Sequence, residues 1–153
     1  MLSGAVPSAR GLCEAAAAGD EDRCRQLLES GSEVDVRDVF QRTPLINAAV
    51  GSHEALVRVL VDFRADLSCA DRSSGWTALH WAAFQGDAKV AQTCISLGAD
   101  PLQKDRKGST PREVAENVLD GKKEAKFGEG LQGQRGFAEV LALLPASDCS
   151  QPT

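Results

Sequence analysis

The chain has 153 residues, of which 42% are hydrophobic and 25% charged, as expected for one globular domain and not for a disordered chain. Its formal net charge of −5 disfavours nucleic acid as a partner, because phosphate backbones are bound by clustered Lys and Arg. No apolar run approaches the ~20 residues of a membrane-spanning helix, and the first ten residues lack the pattern of a secretory signal, so we predict no membrane partner.

The cysteines indicate a reducing compartment. They are odd in number and scattered, without the short pairs that zinc sites and redox motifs require. We therefore predict a cytoplasmic or nuclear protein with no metal and no cofactor. Cys24 and Cys94 fall at apolar positions and are expected to be buried, whereas Cys149 is expected to be an exposed thiol.

Residues 8–38 predict a first pair of helices. Ala15 and Ala16 offer small side chains that let a helix approach its neighbour closely. Arg23 stands where later units have Leu56, so part of the buried stripe is polar here. We expect this unit to cap one end of a stack, since the ends of a solenoid have no neighbour beyond them.

The same pattern returns through residues 39–71 and 72–105. Paired alanines recur after 33 and then 34 positions, at Ala15-Ala16, Ala48-Ala49 and Ala82-Ala83. The Thr residues Thr43, Thr77 and Thr110 keep nearly the same spacing, with one extra residue that we place among positions 72–74. A period of this length predicts a stack of structural repeats, about four in number.

The chemistry within one unit predicts two helices. Thr43 can cap a helix that begins at Pro44, where the missing N–H costs nothing. Apolar residues from Leu56 to Val61 form one stripe of a second helix. Gly98 is placed to end such a helix in the left-handed conformation. Arg64, at the equivalent place, is expected either to cost about 1 kcal/mol in that conformation or to end its helix differently.

The segments 43–49 (TPLINAA) and 77–83 (TALHWAA) resemble the signature of the ankyrin repeat family. The resemblance covers about residues 10–118. It implies an all-α solenoid of helix-turn-helix units with short β-hairpin connections, about four units including caps.

The last unit, residues 106–145, departs from the pattern. Thr110-Pro111 starts a first helix, but Arg112 replaces the inward Leu, as in a cap. The following residues are too many for one unit, so we expect a Lys- and Gly-rich loop insertion at about 120–136. Residues 146–153 are predicted to be a flexible tail.

The two histidines do not indicate catalysis. His80 lies at the His of the ankyrin signature, and the resemblance implies a structural hydrogen bond beside Thr77; His53 is another position that the family often fills with His. No nucleophile or carboxylate follows His80 at a spacing that would build a triad. We predict that the chain is not an enzyme.

The resemblance implies a concave face, formed by the hairpin tips and the first helices, that binds a protein partner. Transferred by position, it implies partner-binding residues at Phe40, Arg42, Arg72, Trp76, Phe84, Gln85, Arg106 and Lys107, with Val39, Val50, Ser74 and Ser109 nearby. Aromatic and Arg side chains often anchor interfaces, so Phe40, Trp76 and Phe84 are the predicted hot spots. The alternative is that Trp76 and Phe84 pack against neighbouring hairpins or against Trp81.

Two functions follow from this surface. The first is an adaptor, monomeric when free, that binds an acidic or amphipathic segment of a partner whose identity the sequence leaves open. The second is a structural subunit permanently embedded in a larger multiprotein assembly. Both are protein-binding functions, and they differ in whether the free chain exists on its own.

Overall fold

The structure, a computed structural model, describes residues 9–121 and 131–146. It contains eight helices in four antiparallel pairs, and no strand occurs within these two ranges. The helices are α1 Ala9–Ala18, α2 Glu21–Glu29, α3 Pro44–Val50, α4 Glu54–Asp62, α5 Ala78–Gln85, α6 Ala88–Ser96, α7 Pro111–Leu119 and α8 Leu131–Leu143. The predicted all-α repeat stack is confirmed.

The helix pairs are layered in chain order. The inner helices α1, α3, α5 and α7 contact one another in series, and the outer helices α2, α4, α6 and α8 form a second layer. Ala48, Ala49, Ala82 and Ala83 are completely buried, which lets neighbouring inner helices approach closely. The repeat of paired alanines in the sequence is therefore the packing surface of the stack.

Side-chain caps fix where three inner helices begin. The hydroxyl groups of Thr43, Thr77 and Thr110 each accept a hydrogen bond from the backbone N–H three residues later. Pro44 and Pro111 occupy the first turn of their helices, as the sequence predicts.

The connections between pairs are turns, not the β-hairpins that the resemblance implies. Two backbone hydrogen bonds close each tip. One joins Asp38 N–H to the Arg42 carbonyl, Asp71 N–H to that of Trp76, and Asp105 N–H to that of Ser109; the other runs to the carbonyl of the same aspartate from the N–H of Gln41, Gly75 or Gly108. These bonds close turns and do not continue into a ladder of paired strands within the described ranges. The second tip is one residue longer than the others, which confirms the extra residue predicted there.

Apolar residues of the outer helices complete the core. Leu56, Val57 and Leu60 are buried on one stripe of α4. Cys24 and Cys94 are fully buried, as predicted, and burial raises the pKa of the Cys94 thiol to about 12. These cysteines therefore act as small packing residues, not as reactive thiols.

The fourth pair corrects the predicted insertion at about 120–136. Helix α8 begins at Leu131, so positions 131–136 are helical and the loop prediction is wrong for them. Gly136 sits directly against the backbone of Gly86, so this glycine serves close packing. Residues 122–130 and 147–153, including Cys149 and most of the predicted tail, lie outside the described residues.

Arg112 joins the two helices of this pair. Its Nη1 donates to the carbonyl oxygens of Leu141 and Leu144, both at 2.8 Å, and its Nε donates to the carboxylate of Glu116. The sequence predicted a polar replacement for Leu at this place. The guanidinium in fact satisfies the free carbonyls at the end of α8, where a positive charge is also favoured by the helix dipole.

No helix in the two described ranges combines the length and the apolar character that crossing a membrane would demand.

Arg64 adopts the left-handed conformation, one of the two outcomes that the sequence left open, with φ of 71°. Gly31 and Gly98 hold comparable places with φ of 99° and 106°. We expect Arg64→Gly to raise the free energy of unfolding by about 0.5–1 kcal/mol, because it removes the steric cost of the side chain in this conformation. Urea unfolding followed by circular dichroism measures the change. Arg23→Gly, within α2, is the control and should destabilise the chain; a loss of stability in both variants would contradict the argument.

Candidate protein-binding surface

The candidate surface, called here the inner-helix face, consists of α1, α3 and α5 with the tips 38–42, 71–76 and 105–109. Each tip starts with an aspartate that organises its turn. Asp38 Oδ1 accepts hydrogen bonds from the N–H groups of Phe40 and Arg42, at 2.8 and 2.9 Å, and its Oδ2 accepts one from Asn47 Nδ2. The tip is thereby fixed to α3.

This turn holds two apolar side chains in solvent. Val39 is 67% and Phe40 66% exposed, the highest values among the large hydrophobic residues that the structure describes. The aspartate that fixes the turn leaves both without a packing partner in the core. Such a pair of exposed apolar groups at a fixed position is typical of an interaction site.

A cleft of about 440 Å³ lies beside the exposed pair, between α1 and α3. It is lined by Cys13, Glu14, Ala17, Asp38, Val39, Phe40, Arg42, Asn47, Val50 and Gly51. The α1 residues of this cleft were not predicted, because the first unit has the polar substitutions of a cap. Cys13 and Ala17 are four residues apart and so share one face of α1, and this spacing could have indicated that both line the same surface.

An aromatic cluster occupies the next repeat. The ring of Trp76 lies 5.0 Å from that of Trp81 and 5.1 Å from that of Phe84, centroid to centroid. The Arg42 guanidinium lies 4.7 Å from the Trp81 ring and 5.4 Å from the Phe40 ring. Two repeats thus share one continuous set of cation–π and aromatic contacts.

Trp76 is not the exposed side chain that the sequence analysis expected. It is only 8% exposed, and its indole N–H donates to Asp105 Oδ2 at 2.8 Å. Burial alone would raise the pKa of Asp105, but hydrogen bonds from the Ser109 N–H and the Trp76 indole hold this pKa below its usual value. The packing alternative is therefore the correct description of Trp76, because its N–H joins one tip to the next.

The remaining predicted residues divide into two groups. Phe84 and Gln85 are half-buried, and Gln85 Nε2 donates to the Val50 carbonyl across the repeat boundary at 2.7 Å. Arg72, Arg106 and Lys107 are exposed on the tips. The structure thus brings Phe40, Arg42 and Phe84 close to Trp81, whereas the tip cations form a separate charged edge.

Both histidines link repeats. His80 is fully buried; its Nδ1 accepts from the Thr77 N–H at 3.2 Å, and its Nε2 lies 3.2 Å from the Ser109 carbonyl. His53 Nε2 lies 3.1 Å from the Ala17 carbonyl of the preceding pair. The geometry agrees with the structural role that the resemblance implied for His80.

Stability should fall on acidification because of His80. Burial lowers the pKa of this imidazole below 6.5, although Asp105 and Asp71 act in the opposite direction. Its contribution is therefore complete above pH 6.5 and is lost as the pH falls through the folded-state pKa. We expect a slope of up to about 1.4 kcal/mol per pH unit in this range, measured by urea unfolding. His80→Gln should flatten it; an unchanged slope would assign the effect to another group.

Among the described residues, no group of three or more His, Cys, Asp or Glu side chains is arranged to hold a metal ion.

The family model described as "Ankyrin repeats (3 copies)" matches residues 12–105. The E3 ubiquitin-protein ligase XBAT33 of Arabidopsis thaliana is 34% identical over 142 residues, 90% of this chain and 27% of that protein. Diacylglycerol kinase zeta of Rattus norvegicus is 32% identical over 76% of this chain and 13% of its own length. Ankyrin repeat and SAM domain-containing protein 6 of Mus musculus is 38% identical over 72% of this chain and 13% of its own length. The chain thus spans 27% or less of the length of these relatives.

Proposed function

Because the chain belongs to the ankyrin repeat family, whose repeats generally serve as protein–protein interaction modules, we propose that it is a non-enzymatic adaptor that binds a protein partner on its inner-helix face. The observation that carries this proposal is the exposure of Val39 and Phe40 beside the cleft between α1 and α3. Burying apolar surface contributes about 25 cal/mol per Å², so a partner that covers both side chains gains binding energy directly.

The charges of the tips favour an acidic or amphipathic partner. The tips 38–42, 71–76 and 105–109 carry four basic and three acidic side chains, although the whole chain has a net charge of −5. The carboxylates of Asp71 and Asp105 are buried and accept hydrogen bonds from their own turns, whereas Arg72, Arg106 and Lys107 are exposed. A partner therefore meets mainly positive charge along this edge, which steers acidic segments toward it.

Filling the cleft tests the proposal. Ala17 is exposed on α1 and lines the cleft, so Ala17→Trp should block it without disturbing the core. Ala55, exposed on the outer helix α4, gives the matched control Ala55→Trp. We expect proteins captured from lysate by the unmodified chain to be retained by the control and reduced about tenfold or more by Ala17→Trp, by quantitative mass spectrometry.

Both variants should keep the circular dichroism spectrum and the melting temperature of the unmodified chain. If every captured protein binds both variants equally, the inner-helix face is not the binding surface and the proposal is wrong.

A further inference from the structure

Arg42 differs from the other half-buried arginines of the described chain. Arg37 donates to the carbonyls of Gln41 and Ala70, and Arg112 donates to three acceptors on α7 and at the end of α8. The Arg42 guanidinium has no hydrogen-bond acceptor and no ion pair among the residues that the structure describes. The nitrogen atoms of this guanidinium are not among the buried unpartnered atoms of the described residues, so its N–H donors face solvent and are available to an acceptor on a ligand.

The position of this guanidinium is nevertheless fixed. It lies 4.7 Å from the Trp81 ring and 5.4 Å from the Phe40 ring, and its own backbone N–H is held by Asp38. Both carboxylate oxygens of Asp38 already accept hydrogen bonds, from the turn and from Asn47. The Arg42 guanidinium is thus positioned by aromatic contacts and forms no ion pair with Asp38.

The cleft next to Arg42 has an apolar part and a charged part on different elements. Ala17, Val50 and Phe40 supply apolar wall, and the acidic residues of the lining are Glu14 on α1 and Asp38 in the tip. Both oxygens of Asp38 already accept hydrogen bonds, and Glu14 would repel a carboxylate on the α1 side. An acidic ligand group is therefore favoured only where it meets the Arg42 guanidinium. Arginine also binds carboxylates through two parallel N–H donors, which adds geometric selectivity.

We propose that the cleft between α1 and α3 binds a linear segment of a protein partner that places an apolar side chain against Ala17 and Val50 and a neighbouring carboxylate on Arg42. This rests on the proposed function and narrows the partner to a class: short apolar motifs followed or preceded by Asp or Glu. Arg42 is the specificity-determining residue, and the cleft supplies the apolar contact.

A phage-displayed library of random 12-residue peptides, selected on the full chain, tests the class of ligand. We expect the enriched peptides to share a large apolar residue next to Asp or Glu and to lose binding to Ala17→Trp. In fluorescence polarisation, changing that Asp to Asn should weaken binding to the unmodified chain about tenfold or more. The same change should have no effect on binding to Arg42→Gln.

Two variants distinguish the effect of the paired guanidinium donors on binding from the effects of net charge and of misfolding. Arg42→Lys keeps the positive charge but not the paired donors, so binding should fall between those of the unmodified chain and Arg42→Gln. Arg23→Gln, an equal loss of charge on the exposed side of α2, should bind the peptides normally. Circular dichroism of each variant verifies the fold.

The outcomes distinguish this inference from the proposed function. Peptides that need an open cleft but show no acidic preference, or that bind Arg42→Gln unchanged, overturn the inference alone, as does a selection that enriches nothing. Peptides that also ignore Ala17→Trp count against the proposed function as well. A dimer of the unmodified chain that Ala17→Trp dissociates in sedimentation would overturn the inference by giving the cleft to a second copy.

Discussion

Replacing Trp76 by alanine is expected to lower the free energy of unfolding by about 3–5 kcal/mol, the range for removing a buried Trp side chain. The indole is 8% exposed and packs against the rings of Trp81 and Phe84. Its loss leaves a cavity between two repeats and removes a hydrogen bond that Asp105 accepts at 2.8 Å. Since Asp105 also organises its own tip, the damage should spread into the next turn.

Trp76→Phe separates the two contributions to this loss. It keeps most of the aromatic packing but removes the N–H donor, so we expect a smaller loss of about 1–3 kcal/mol. Urea unfolding followed by far-ultraviolet circular dichroism measures both variants, because Trp fluorescence changes with the substitution itself. If Trp76→Ala unfolds like the unmodified chain but loses its partner, Trp76 is a contact residue after all and the packing described here is wrong.

The repeat architecture could be predicted from sequence because it depends on local chemistry repeated at a fixed spacing. Thr43, Thr77 and Thr110 cap their own helices, and each cap involves residues only three positions apart. Paired alanines that recur at the same place in successive repeats indicate close helix packing. The left-handed φ of Arg64 was one of the two outcomes that its position allowed.

The surface was harder to predict because it depends on contacts between distant residues. The indole N–H of Trp76 donates to Asp105, 29 positions later, and nothing local to Trp76 indicates that hydrogen bond. The cleft is formed by α1 and the tip 38–42 together, so treating the first unit only as a cap hid Ala17. Arg42 was predicted from its position to contact a partner, but its unpaired guanidinium could be recognised only once its surroundings were known.

The prediction of a loop up to residue 136 failed for a related reason. Gly133 and Gly136 stand in a segment with Lys122, Lys123 and Lys126, a composition that indicates flexibility when each residue is judged by itself. Gly136, however, is in a helix and faces Gly86 of the preceding helix pair, a contact that only the folded arrangement reveals. A glycine in a helix is destabilising on its own, and it is retained where another backbone comes too close for a side chain.

Gly136→Val is therefore expected to destabilise the chain by about 3 kcal/mol, although most substitutions of a helical glycine are stabilising. A Cβ atom at this position would collide with the carbonyl oxygen of Gly86, and backbone cannot move aside as a flexible side chain would. Phe137, which packs on Gly86, would be displaced together with the helix. The change should appear in urea unfolding and as faster amide exchange along α8.

Ala138→Val is the matched control, because Ala138 is exposed on the same helix and gains the same branched side chain. We expect it to cost only the small loss of helix propensity, about 0.5 kcal/mol. Arg112 donates to the carbonyls of Leu141 and Leu144 at the end of α8, so displacement of the helix in Gly136→Val, but not in the control, should break these hydrogen bonds. If Gly136→Val were as mild as the control, α8 would not approach Gly86 this closely, and its place on the stack would rest on the buried side chains of Val140 and Leu144 and on the hydrogen bonds of Arg112.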